Sequence, residues 1–84
     1  MLSVSVISPE ATLFNGDAES VVAPAFDGEV GILTGHAPMI TALGRGTLRV
    51  HDASGVRRFT VDGGFLQVVE NHVRVVTERT EAQG

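Results

Sequence analysis

Apolar and polar residues alternate singly along most of this chain, and turn-forming residues interrupt the alternation about every eight to twelve positions. That rhythm constrains the fold more than any other feature. A period of two puts successive side chains on opposite faces of a strand, whereas a helix needs a period of about 3.6. No stretch shows helical periodicity. About eight to ten short strands separated by turn signals predict an all-β sandwich or barrel. With 84 residues the chain makes one small domain, able to bury roughly 60–65% of its unfolded surface.

The first strand is read from Leu2, Val4 and Val6 alternating with Ser3 and Ser5, and Pro9 with Glu10 ends it. Residues 12–14 form a short extended piece, Asn15-Gly16-Asp17 reads as a turn, and residues 18–23 make a second Val-rich run that Pro24 closes. Residues 39–43 form a further run, stopped by Gly44-Arg45-Gly46. Leu48 and Val50 face inward against Arg49 and His51, and residues 52–55 supply a turn. Arg57, Phe59 and Val61 share a face opposite Arg58 and Thr60. Gly63-Gly64 then breaks the register before residues 65–70, and Asn71-His72 turns the chain into residues 73–77. Residues 78–84 read as a frayed polar tail.

Composition removes several classes of function. Net charge is −4, the six basic residues are all arginine, and only Arg57 and Arg58 adjoin, so the chain lacks the basic face that nucleic acid requires. Without cysteine there is no disulfide framework and no thiol chemistry. No apolar run approaches the roughly 18 residues of a membrane span, and MLSVSVIS has neither the charged start nor the long apolar centre of a secretory signal. A cytoplasmic location is the expectation. No GxSxG elbow is present, and His36, His51 and His72 lack metal-ligand spacing, so neither catalysis nor a metal site is expected. The absence of lysine also excludes a biotinyl or lipoyl carrier, and the absence of Trp and Tyr argues against a sugar-binding sandwich.

The stretch DGEVGILTGHAP, residues 27–38, concentrates the unusual features. Val30 and Ile32 point to one face and Glu29 and Gly31 to the other. Gly28 and Gly35 stand where turns need positive φ or close backbone approach, and Pro38 holds Ala37 extended. His36 therefore occupies a rigid corner, either as a purely structural residue or as part of an interface. Glu29 is a solvated turn carboxylate or a contact. Leu33, Met39 and Ile40 break the alternation around the corner; they fill core, or, if exposed, mark a docking face. A small-molecule or metal module centred on His36 is the alternative function.

Across GEVGILTGHAPMITALGRGTLRV, Glu29 in its glycine frame, the corner Gly35-His36-Ala37-Pro38 and the following Gly46 resemble the signature of the epsilon subunit of the rotary F-type ATP synthase. Phe14-Asn15-Gly16, Gly63-Gly64-Phe65 and Asn71-His72-Val73 extend the resemblance in order over nearly the whole chain. It implies the N-terminal portion of that subunit: a flattened β-sandwich of about ten short, mostly antiparallel strands. It further implies a non-catalytic rotor part without cofactor, binding the gamma subunit and the polar loops of the c-ring and helping to couple proton transport to ATP synthesis. Its place would be peripheral, at the cytoplasmic face of the bacterial plasma membrane, with no direct insertion. Glu29 matches the family position facing the c-ring loops, and His36 one near the gamma and c-ring junction. The implied contact set is Glu29, Gly31, His36, Ala37, Pro38 and Met39. Thr34 stands where many members have proline, and the resemblance covers the family's sandwich portion and not its C-terminal helical hairpin.

Overall fold

A computed structural model describes residues 1–82 of the chain. Eight strands follow one another: β1 (Leu2–Ile7), β2 (Thr12–Ala18), β3 (Ser20–Ala25), β4 (Gly28–Leu33), β5 (Met39–Ala42), β6 (Arg45–Asp52), β7 (Gly55–Val69) and β8 (His72–Ala82). They pair in the order β2-β1-β8-β7-β6-β3-β4, with β5 added to β7. All ladders are antiparallel except that between β1 and β8.

The continuous ladder folds into two layers because β7 and β8 serve both. Residues 55–62 of β7 pair with β6, while residues 65–68 pair with β5. Residues 72–76 of β8 pair with β1, and residues 79–82 run on beside the first half of β7. Layer A is therefore β5, late β7, early β8, β1 and β2; layer B is β4, β3, β6, early β7 and late β8. The expected ten strands correspond to eight, two of them counted in both layers.

The double glycine makes this sharing possible. Gly63 and Gly64 adopt φ of 78° and 102°, conformations that other residues rarely take. Before them the odd residues Phe59 and Val61 are buried; after them the even residues Leu66 and Val68 are. The bend thus exchanges the faces of the strand, and both halves turn their apolar side toward the same interior. Close approach also demands glycine at 64, since a Cβ there would overlap the Val76 carbonyl oxygen and lie 2.8 Å from Thr77 Cα.

One cluster fills the space between the layers, with Leu2, Val4, Val6, Val73, Val75, Leu66 and Val68 from layer A meeting Val21, Ile32, Leu48, Val50, Phe59 and Val61 from layer B. Two half-apolar faces closing over one cluster define a β-sandwich. Among the described residues Thr77 is the buried polar side chain, and its one hydroxyl proton is shared between the carbonyls of Arg79 at 2.7 Å and Gly63 at 3.1 Å. Across the rim, Arg57 lies over the Phe14 ring at 5.5 Å and its Nε donates to Asp52 Oδ2 at 3.1 Å, tying β7 to β2.

Four expectations are corrected. Asn15-Gly16-Asp17 is not a turn but the middle of β2, paired with Ser5, Val4 and Ser3; partnership with β1 overrides the local turn preference, and the Phe14 ring covers Gly16. Pro24 does not end its run but lies within β3 opposite Glu29. Its carbonyl accepts from Gly44, so its missing N–H faces the side where the β6 ladder has already stopped at Val22. The tight turn is Glu70-Asn71, with φ of 47° and 64°, one position earlier than read. Finally, β8 continues through Ala82 because it completes the edge of layer B; Gln83 and Gly84 lie outside the described residues.

Candidate interface

Layer B ends at β4 and layer A at β5, so residues 28–42 run along one flank of the sandwich as two edge strands and their connection. All six residues singled out in the sequence lie on it. Glu29 and Gly31 are exposed on β4, His36 is half-buried, Ala37 and Pro38 are exposed, and Met39 is half-buried against the core at the start of β5. Val30 and Ile32 face inward, as alternation required, because Ala23 and Val21 across the ladder face inward too.

The corner is built from one turn. The His36 amide donates to the Leu33 carbonyl at 3.1 Å, and Gly35 provides φ of 86° within that turn. His36 Nδ1 lies 2.7 Å from the Ala37 carbonyl, which orients the ring. From the other end of the chain, Asn71 Oδ1 accepts the Gly35 amide at 2.7 Å. Glu29 is held as well: Arg49 Nη2 lies 3.4 Å from both carboxylate oxygens, reaching from β6 across β3. Sequence reading placed Arg49 outward but gave no sign of this pairing, since it depends on how β6, β3 and β4 are registered. Asn71 was read as a turn residue, and its side-chain role was likewise invisible.

Large apolar side chains are exposed on and beside the flank. Phe26, Leu33 and Ile40 are each between 64% and 69% exposed, so Leu33 and Ile40 do not fill core; of the three residues that broke alternation only Met39 packs inward. Register extends this surface over the outside of layer A. Ala42 pairs with Phe65, Phe65 with Val76 and Val76 with Ile7, giving an outward apolar row across β5, β7, β8 and β1. Ile40 lies beside it and Phe26 at its end, where the Phe26 amide donates to the Ala42 carbonyl at 3.0 Å. The outside of layer B differs: its corresponding row is Val22, Arg49 and Arg58.

Little in this geometry suits chemistry. Among the described residues no three His, Cys, Asp or Glu side chains gather where a metal ion could be held, and His36 is engaged with backbone. The Asp52 carboxyl is held below its ordinary range, first by the Arg57 hydrogen bond and then by the Ser54 amide. That is a turn and rim feature. No helix among the described residues is long and apolar enough to cross a membrane. The geometry is that of a β-sandwich whose flank carries a turn-held histidine, an ion-paired carboxylate and an apolar outer row.

Comparison with known proteins gives the family. Residues 1–83 match the family described as "ATP synthase, Delta/Epsilon chain, beta-sandwich domain", and the chain belongs to that family. The ATP synthase epsilon chain of Rhodopirellula baltica is 49% identical over 74 residues, covering 88% of this chain and 58% of the relative. That of Leptospira borgpetersenii is 42% identical over 77 residues, covering 92% and 61%. The chain thus spans about three fifths of the length of these relatives. In fold it is similar to a chain of the Euglena gracilis mitochondrial ATP synthase, with a TM-score of 0.88 at 20% identity, covering 96% of this chain and 52% of that one. A chain from the Tetrahymena thermophila mitochondrial ATP synthase central stalk and c-ring gives 0.83 at 18% identity, covering 95% and 65%.

Proposed function

We propose that this sandwich is a non-catalytic part of the rotor of an F-type ATP synthase, joining the gamma shaft to the c-ring and helping to couple proton transport to ATP synthesis. Family membership supports the assembly, and one structural observation carries the docking role: an apolar row crosses four strands on the outside of layer A. Such a row has no use in water and matches the apolar centre of a protein interface. It is assigned to gamma. The flank carrying Glu29, Gly31, His36, Ala37, Pro38 and Met39, with its ion pair and rigid turn, is assigned to the polar loops of the c-ring.

A stiff sandwich suits this task because close-packed interiors deform little under load and transmit torque rather than absorb it. In a bacterial cell the assembly would hold the domain at the cytoplasmic face of the plasma membrane, peripheral and without insertion.

Co-expression with the gamma subunit of the same organism, followed by size exclusion with light scattering, tests the reading. Co-elution is expected, with about 800 Å² buried on each partner. Ile40→Arg is expected to stay folded and to elute separately. Separate elution of the unaltered chain at micromolar concentration would refute the assignment.

A further inference from the structure

The Glu70-Asn71 turn is an uncommon solution to a common problem. Both residues have positive φ, 47° and 64°, and the flanking residues Val69 and His72 pair directly, which makes this a two-residue hairpin turn of the kind best served by Asn followed by Gly. Glycine would carry φ of 64° at position 71 without a Cβ penalty. Asparagine there is tolerated rather than optimal, and its side chain has a second engagement. Oδ1 accepts the Gly35 amide at 2.7 Å from 36 residues away in sequence, while the Asn71 carbonyl accepts the Ser3 amide at 2.8 Å. One residue therefore joins the β7–β8 turn, the start of β1 and the 34–38 corner.

The corner depends on that link. Residues 34–38 lie between β4 and β5 and belong to no ladder. The turn bond from His36 to Leu33 and the contact of the His36 ring with Ala37 are both local. Among the described residues, the Asn71 bond is the one hydrogen bond that ties this corner to an element outside β4 and its own turn. Met39 packs on the core just after it, and Leu33 just before it is exposed. Without the Asn71 acceptor the segment keeps its fixed ends and the Leu33–His36 turn bond but loses its bond to the β7–β8 turn, and Gly35, lacking a Cβ, adds little steric restraint of its own.

We propose that Asn71 is a positioning residue for the docking corner: by holding the Gly35 amide it sets the orientation in which His36, Ala37 and Pro38 meet their partner. This role rests on the docking function proposed above. Asn71 acts on the partner only through Gly35.

Two variants separate this role from a structural one. Asn71→Gly keeps the turn conformation and removes the acceptor; Asn71→Asp keeps both an acceptor oxygen and tolerance of positive φ. The first measurement is amide hydrogen exchange by NMR. The Gly35 amide is expected to lose protection in Asn71→Gly and to keep it in Asn71→Asp, while core amides such as those of Leu66 and Val75 are unchanged. The second is binding of the full chain to a gamma–c-ring subcomplex. Loss of one positioning hydrogen bond, about 0.5–1.5 kcal/mol, predicts roughly twofold to twelvefold weaker binding for Asn71→Gly, restored by Asn71→Asp. Unchanged affinity of Asn71→Gly with Gly35 deprotected overturns the positioning role alone. Equal weakening in both variants also overturns it. If the unaltered chain fails to bind, the docking reading itself falls, and the Asn71 role falls with it.

Discussion

Replacing Gly64 by alanine tests the central claim about the fold, that a missing side chain lets one strand serve two layers. Two penalties add. A φ of 102° is strained for any residue with a Cβ, at about 1–3 kcal/mol. The new methyl would also overlap the Val76 carbonyl and approach Thr77 Cα at 2.8 Å, and both are backbone atoms of the neighbouring strand, so relief requires moving β8. That movement disturbs the Leu43 amide bond to the Gly64 carbonyl and the Thr77 hydroxyl bond to the Gly63 carbonyl, at about 1 kcal/mol each.

The sum is about 4 kcal/mol, against a total stability of roughly 4–13 kcal/mol for a chain this size. Gly64→Ala should lower the melting temperature by roughly 15–30 °C or leave the chain unfolded. Gly31→Ala is the control. A Cβ there meets nothing within 4 Å and the backbone is not in the positive-φ region, so stability should change by about 0.5 kcal/mol or less in either direction. The chain has no Trp or Tyr, so unfolding in urea is best followed by far-ultraviolet circular dichroism. If Gly64→Ala unfolds within 1 kcal/mol of the unaltered protein with the same urea slope, the bend does not depend on the glycine.

Other consequences follow from the same structure. Val50→Asp puts a charge among fully buried residues and should prevent folding at several kcal/mol; a soluble, folded variant would show that the inner face of β6 has been misassigned. Glu29→Lys removes an exposed ion pair contributing about 0–1 kcal/mol, so it should fold normally while weakening coupled ATP synthesis in membrane vesicles; loss of folding would make the residue structural. Asp52 has its carboxyl lowered by Arg57 and by the Ser54 amide, so its contribution is present above the ordinary carboxylate range and is lost as pH falls through its lowered value. Denaturation of Asp52→Asn measured from neutral to acid pH should show a shallower decline than the unaltered chain; parallel curves would contradict this.

Much of the sandwich was legible because alternation is local. Leu2, Val4, Val6, Leu48, Val50, Phe59 and Val61 are buried on the faces the pattern assigned them, and the strand changes register at the double glycine as read, although that the change exchanges its faces was seen only in the structure. Gly28 and Gly35 carry the positive φ their positions suggested. Two of the misreadings share one cause. Asn15-Gly16-Asp17 and Pro24 are turn or breaker signals by local preference, yet each lies in a strand whose partner supplies the hydrogen bonds that local preference leaves out.

The proposed contact residues lie on one flank because residues 28–42 are consecutive, but the bonds that support them were not readable. The Arg49 bond to Glu29 spans three strands, and the Asn71 bond to Gly35 joins segments 36 residues apart. The apolar row of Ile7, Val76, Phe65 and Ala42 likewise draws on four separate strands.

The sequence by itself determined which side of most strands is apolar and that the chain turns at Gly28, Gly35 and Gly63-Gly64, because the first follows from a period of two and the second from residues without a Cβ. Only the tertiary structure decided that β1 runs parallel beside β8, that β7 and β8 are shared between layers, and which outward residues stand next to one another. Those are matters of register, set by packing two layers around one core, and a change of register moves neighbours across strands without altering any local pattern.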